Sequence, residues 1–176
     1  MNWENILNEL NNNSDNTIPN ELLVIINESN RLFLAGSGRS GLALKAFAMR
    51  LAQIGKDVFF VGETTTPAIT DKDLLIIASS SGETSQLIRY ADISKNIGAK
   101  IWLWSTNNNN TIFSKSDYVT LLAGKSKFTK SSITKQPMGS LFEQSVWLYG
   151  DLFVINYMNK FSIGESDLQK RHANLE

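Results

Sequence analysis

Two glycine- and hydroxyl-rich stretches carry residue types that could hold a charged ligand. The first is Ser79-Ser80-Ser81-Gly82-Glu83-Thr84, which follows the apolar run Leu74-Leu75-Ile76-Ile77-Ala78 and precedes a helical pattern. Hydroxyls and the free N–H groups of a helix start would converge there, which suits the terminal oxygens of a phosphate monoester. Capping the helix through Ser81 or Thr84 would need only one hydroxyl. Ser79, Ser81, Gly82 and Thr84 are therefore candidate phosphate ligands, with Glu83 expected to face solvent, away from a dianion. The second stretch is Gly36-Ser37-Gly38-Arg39-Ser40-Gly41, again between a strand pattern and a helix pattern. Its glycines permit a tight turn and close backbone approach, and Ser37, Arg39 and Ser40 are candidate ligands. A plain turn capped by Ser40 is the bland reading. The hexapeptide also satisfies the dinucleotide pattern G-x-G-x-x-G, with Glu63 at the distance where that pattern places an acid. That pattern gives the serine-rich loop no role.

Other chemistry is narrowly bounded. There is no cysteine and one histidine, so disulfides, a thiol nucleophile, Cys-ligated metal and His-cluster metal sites are all excluded. Lys and Arg total 17, as do Asp and Glu, which argues against a nucleic-acid surface or a polybasic membrane anchor. No apolar run approaches the ~18–20 residues of a membrane span, so the expected compartment is the cytosol. Ser140-Leu141-Phe142-Glu143 fits the capping box S-x-x-E, in which Glu143 would only bond a backbone N–H. His172, in Lys170-Arg171-His172-Ala173-Asn174, reads either as a surface group or helix-end charge partner, or as a proton donor.

These residues need elements to position them. In 176 residues there is room for one domain. Residues 1–30 are rich in Asn and read as an N-terminal helical segment: a helix from Trp3 to Leu10, a loop, and a helix from Glu21 to Ser29. Residues 31–176 alternate strands and helices. Strands are expected at Leu32–Ala35, Val58–Val61, Leu74–Ala78, Ile101–Trp104 and Tyr118–Leu122. Helices are expected at 42–54, Thr84–Asn96, 140–161 and Glu165–Glu176. The strands are continuous apolar runs, as in parallel sheets covered on both faces. The fold class is α/β, a three-layer sandwich with a five-stranded, mostly parallel sheet of the flavodoxin-like or Rossmann-like kind. Ligands of such sheets lie off the carboxyl ends of the strands.

With its Ser79–Thr84 loop matching S-x-S-G-x-T, the chain resembles the sugar isomerase (SIS) domain family of phosphosugar-binding sandwiches. Further strings resemble those of its 6-phospho-3-hexuloisomerase members: Gly38–Gly41, Ala46–Leu51, Val61–Pro67, Pro137-Met138-Gly139 with Phe142-Glu143, and Arg171–Leu175. The resemblance covers roughly residues 20–176. It implies interconversion of D-arabino-3-hexulose 6-phosphate and D-fructose 6-phosphate in the ribulose monophosphate route of formaldehyde fixation or detoxification. It also implies a sugar-phosphate substrate, no metal or organic cofactor, and a homotetramer. It makes Glu143 the catalytic base rather than a cap, pairs it with His172 as a second catalytic candidate, reaching its own or a neighbouring subunit's site, and makes the Thr64–Pro67 loop a site wall. Arg39 would neutralise the phosphate or an enediolate. Arg50 reads as structural, and Trp102, Trp104 and Trp147 as core or interface.

Overall fold

The structure is a computed structural model, which describes residues 1–13, 17–126 and 133–175. The elements run α1 (Trp3–Asn13), α2 (Asn20–Glu28), β1 (Leu32–Gly36), α3 (Gly38–Gln53), β2 (Val58–Phe60), β3 (Leu74–Ala78), α4 (Ser85–Ile97), β4 (Lys100–Ser105), a 3-10 turn (Phe113–Lys115), β5 (Tyr118–Leu121), α5 (Ser140–Phe161) and α6 (Glu165–Lys170). The five strands form one sheet in the order β2-β1-β3-β4-β5, and every adjacent pair is parallel.

Strand alternation sends side chains to two faces, and both faces are buried. Leu32, Leu34, Leu74, Ile76, Trp102 and Trp104 meet α2, α3 and α5 on one side. Phe33, Ala35, Leu75, Ile77, Ile101 and Leu103 meet Leu87 and Ala91 of α4 on the other. The helix-rich side carries the aromatic packing: Trp104 lies edge-on to Tyr149 at 5.0 Å and tilted against Phe47, also at 5.0 Å. Trp102 and Trp104 are fully buried, whereas half of Trp147 is exposed. Leu10 of α1 joins Ala123 and Leu141 in a small apolar cluster of its own.

The strands stand where the apolar runs predict them to within one residue at either end, and the larger differences lie at helix ends. α1 runs on to Asn13, and its start is capped reciprocally: Asn2 Oδ1 accepts from the Asn5 N–H, and Asn5 Oδ1 from the Asn2 N–H. α3 begins at Gly38, inside the glycine loop, with Ser37 rather than Ser40 at the N-cap position. α4 ends as expected at Gly98, which takes the left-handed conformation (φ 92°). α6 stops at Lys170 instead of continuing toward the chain end; Glu176 lies outside the described residues, as does Asn16 of the N-terminal loop. The sheet order reverses direction at β1 and β3, and a ligand cleft is expected at such a switch point.

Candidate active site

The loops after β1 and β3 open into one cavity of about 330 Å3, lined by Ser37, Gly38, Arg39, Ser40, Ser79, Ser80, Ser81, Thr84, Leu87, Met138, Gly139 and Glu143. This is within the size range of small-molecule sites. Three helices, α3, α4 and α5, begin at this cavity, and none has a side-chain hydrogen bond at its N-cap. Helix starts carry unsatisfied N–H groups and a partial positive charge of roughly half a unit each. Their convergence makes an anion site without a cationic cluster.

The serine loop is preformed. Ser79 Oγ accepts from the Gly82 N–H at 3.1 Å, and Ser81 Oγ accepts from the Glu83 N–H at 3.2 Å. Gly82 has φ +66°, and a Cβ there would lie 1.9 Å from Asn110 Oδ1. Asn110 is itself fixed, donating to Asn107 O at 2.9 Å and accepting from the Phe113 N–H at 2.8 Å. Glu83 turns away from the cavity. Its two carboxylate oxygens accept from the Thr111 N–H (2.7 Å) and hydroxyl (2.8 Å). The loop from Asn107 to Thr111 thus braces the serine loop from behind. No sequence signal marks Asn110 or Thr111, since the serine-loop residues they meet, Gly82 and Glu83, lie 28 residues away.

In the glycine loop, Gly36 and Gly41 touch: a Cβ on Gly41 would lie 2.5 Å from Gly36 O. The glycines serve strand-to-helix contact there. Glu63, the acid of the dinucleotide reading, pairs with Lys45 at 3.1 Å.

Glu143 stands one turn into α5. Its carboxylate does not bond a backbone N–H as a capping box requires. Glu143 Oε2 accepts from Arg39 Nε at 2.5 Å, with the Glu143 side chain only 15% exposed. The hydrogen bond to Glu143, and then its charge, raise the Arg39 pKa above the ordinary guanidinium value. Gly139 leaves room for the carboxylate, since a Cβ there would sit 3.3 Å from Glu143 Oε1. Met138, at the cavity rim, holds a positive φ of 54°, a conformation that costs a bulky residue roughly 1–2 kcal/mol.

The structure therefore brings Ser37, Arg39, Ser40, Ser79, Ser81, Thr84 and Glu143 to one cavity, with Gly82 shaping the loop behind it. It does not bring His172. The Arg171 guanidinium donates to Gln53 O at the far end of α3, and α3 begins at the cavity. A helix of 16 residues is about 24 Å long, so His172 lies remote from its own chain's cavity. Thr66 and Pro67 line a separate apolar cavity with Phe33, Val61, Leu75, Tyr90 and Ile93. Arg50 bonds Gln53 Oε1 within its own helix at 2.7 Å. Among the described residues there is no cluster of three or more metal-ligating side chains and no helix long and apolar enough to cross a membrane.

A parallel sandwich with a phosphate-ready cleft at its switch point defines the class, and comparison with known proteins gives the family. A model of the SIS domain matches residues 25–146, and the chain belongs to that family. It is 39% identical over 176 residues to the 3-hexulose-6-phosphate isomerase of Bacillus subtilis, covering 97% of this chain and 95% of that protein. It is 40% identical over 147 residues to the 3-hexulose-6-phosphate isomerase of Mycobacterium gastri, covering 83% of this chain and 74% of that one. Among solved structures it is similar to a hypothetical protein of Methanococcus jannaschii, for which a molecular function of 3-hexulose-6-phosphate isomerase is inferred. There the TM-score is 0.79 at 32% identity, over 98% of this chain and 96% of that one.

Proposed function

We propose that this phosphosugar isomerase interconverts D-arabino-3-hexulose 6-phosphate and D-fructose 6-phosphate through a cis-enediol, as a step of the ribulose monophosphate route. The observation that carries the reading is the presence of the Glu143 carboxylate in the same cavity as the hydroxyl-lined helix starts. The helix starts of α3 and α4, with Ser37, Ser40, Ser79, Ser81 and Thr84, hold the phosphate. Because the phosphate is remote from C2 and C3, its binding energy positions those carbons without being consumed in the chemistry.

Glu143 removes the proton from C2 of the 3-ketose, and the electron pair moves into the C2–C3 bond as O3 gains negative charge. Passing the O2–H proton to O3 and returning the abstracted proton to C3 leaves the C2 ketone and a C3 hydroxyl. One carboxylate can do both transfers because C2 and C3 are adjacent. Arg39, already on Glu143, keeps a guanidinium beside the oxygens on which charge develops. The C3 ketone would need O6 to close a furanose, and O6 carries the phosphate, so the 3-hexulose reacts open-chain. Ring opening concerns only fructose 6-phosphate in reverse.

His172 enters this scheme through a second copy of the chain, as a proton donor to a neighbour's site in a homotetramer. The apolar outer face of α5, where Trp147, Leu148 and Ile155 are each about half exposed, supports association. A 22-residue helix apolar on both faces is ordinarily buried on both.

The test supplies 3-hexulose 6-phosphate in situ from ribulose 5-phosphate and formaldehyde with a synthase, and follows fructose 6-phosphate. The wild type is expected to turn over, and Glu143→Gln to lose roughly 10²–10⁴-fold in kcat while still binding fructose 6-phosphate. A near-normal Glu143→Gln rate would remove Glu143 as the base.

A further inference from the structure

Helix α1 lies outside both the matched family segment (residues 25–146) and the cavity, yet its contacts end beside the base. In the described part of the segment that leads into α5, the Thr134 hydroxyl at 2.5 Å, the Lys135 N–H at 2.9 Å and Gln136 Nε2 at 3.0 Å donate to Glu9. Thr134 and Gln136 are buried, at 6% and 3% exposure. The Lys135 N–H and then the Thr134 hydroxyl hold the Glu9 carboxyl below the ordinary carboxylate range. An ionised carboxylate only accepts, so it fixes the amide of Gln136 with its nitrogen toward Glu9. Gln136 Oε1 is then left to accept from Gln144 Nε2, at 2.9 Å. Gln144 is the neighbour of Glu143 on α5. On the other side, Gln136 adjoins Pro137, whose carbonyl closes a turn with the Ser140 N–H at 3.2 Å around Met138 and Gly139. Apolar contacts run in parallel, because Leu10 packs on Leu141, two residues before Glu143.

We propose that Glu9 is a positioning residue for the isomerase site: through Thr134, Lys135 and Gln136 it fixes the turn that enters α5, and so the placement of Glu143 against the sugar. This rests on Glu143 being the base. The phosphate grip, built from the loops after β1 and β3, makes none of these contacts. Loss of Glu9 therefore affects the chemistry and spares ground-state binding, since displacements of about 1 Å can cost roughly 10²-fold in rate.

The test compares Glu9→Ala and the near-isosteric Glu9→Gln with wild type, using the exposed Glu4→Gln on the same helix as control. Expected is a kcat reduced roughly 10- to 100-fold in Glu9→Ala, with fructose 6-phosphate affinity within about twofold of wild type. Glu9→Gln, which keeps the bulk and one acceptor, falls between, and Glu4→Gln is unchanged. Amide hydrogen exchange should rise at residues 133–143 and not at 79–88. A cooperatively melting Glu9→Ala protein with wild-type kcat and unchanged exchange at 133–143 overturns the proposal. So does a parallel fall in kcat and in fructose 6-phosphate affinity, which would mark the contact as general scaffolding. Glu143→Gln in the same assay separates the two readings. If it stays active, the base assignment fails, while the exchange at 133–143 still reports whether Glu9 holds the turn.

Discussion

Gly82 shows how tightly single positions are constrained. A side chain there would strike Asn110 and hold a left-handed backbone at the same time. Gly82→Ala is expected to raise KM for the phosphosugar about tenfold with a smaller change in kcat, and to destabilise the fold by roughly 1–3 kcal/mol. Steady-state kinetics and denaturant unfolding measure both. At this scale the sequence was legible where a loop is self-contained. Ser79, Ser81 and Thr84 stand together in the chain and in space. Asn110, Thr111 and Glu9 were not legible, because each acts on a residue far off in sequence through a contact that only the folded topology makes. Glu143 lay between these cases. Its local string fits a helix cap, and only the nearby Arg39, 104 residues away in sequence, shows that its carboxylate is used elsewhere.

At the level of elements, one ion pair ties β1 to β3 at the end of the sheet opposite the cleft. Asp73 accepts from Arg31 Nε at 3.1 Å and Nη2 at 2.7 Å, and from the Thr70 N–H and hydroxyl at 2.7 and 2.8 Å. Burial pushes the Asp73 pKa up, but the hydrogen bonds from Arg31 and Thr70 outweigh it and the carboxyl lies below its ordinary value. Its folded pKa is depressed, so its stabilisation is complete above the unfolded value of about 4 and disappears as pH falls through the folded one. Asp73→Asn is expected to cost roughly 2–4 kcal/mol at neutral pH and less at about pH 2–3, read by denaturant unfolding at both pH values. The strands were legible because both-face burial demands unbroken apolar runs. The start of α3 was not, because Gly38 with φ +57° begins the helix two residues before the serine that would have capped it. The length of α6 was overread because its pattern carries no terminating signal.

For the molecule as a whole, the parallel order of the sheet and its cleft at the β1–β3 reversal follow from strand composition and the alternation with helices. The way α1 folds back onto the start of α5 does not. The exposed Trp147, Leu148 and Ile155 on α5 bear on assembly. Trp147→Arg combined with Ile155→Arg is expected to shift the protein to a smaller species in light scattering. If a neighbour's His172 completes each site, activity falls with it; a full-sized assembly from the double variant would place the interface elsewhere.

In the proposed function the cleft holds its ligand with main-chain amides and alcohols, and among the described residues Arg39 and Glu143 are the only ionisable side chains on its walls. Amides and alcohols do not change ionisation state near neutrality, so the grip itself is indifferent to acidity. What changes is the guest: a sugar phosphate dianion takes up a single proton near pH 6, and the monoanion satisfies fewer of the converging donors. The ligand's own ionisation, more than any titration of the phosphate grip, then sets how affinity varies across the physiological range.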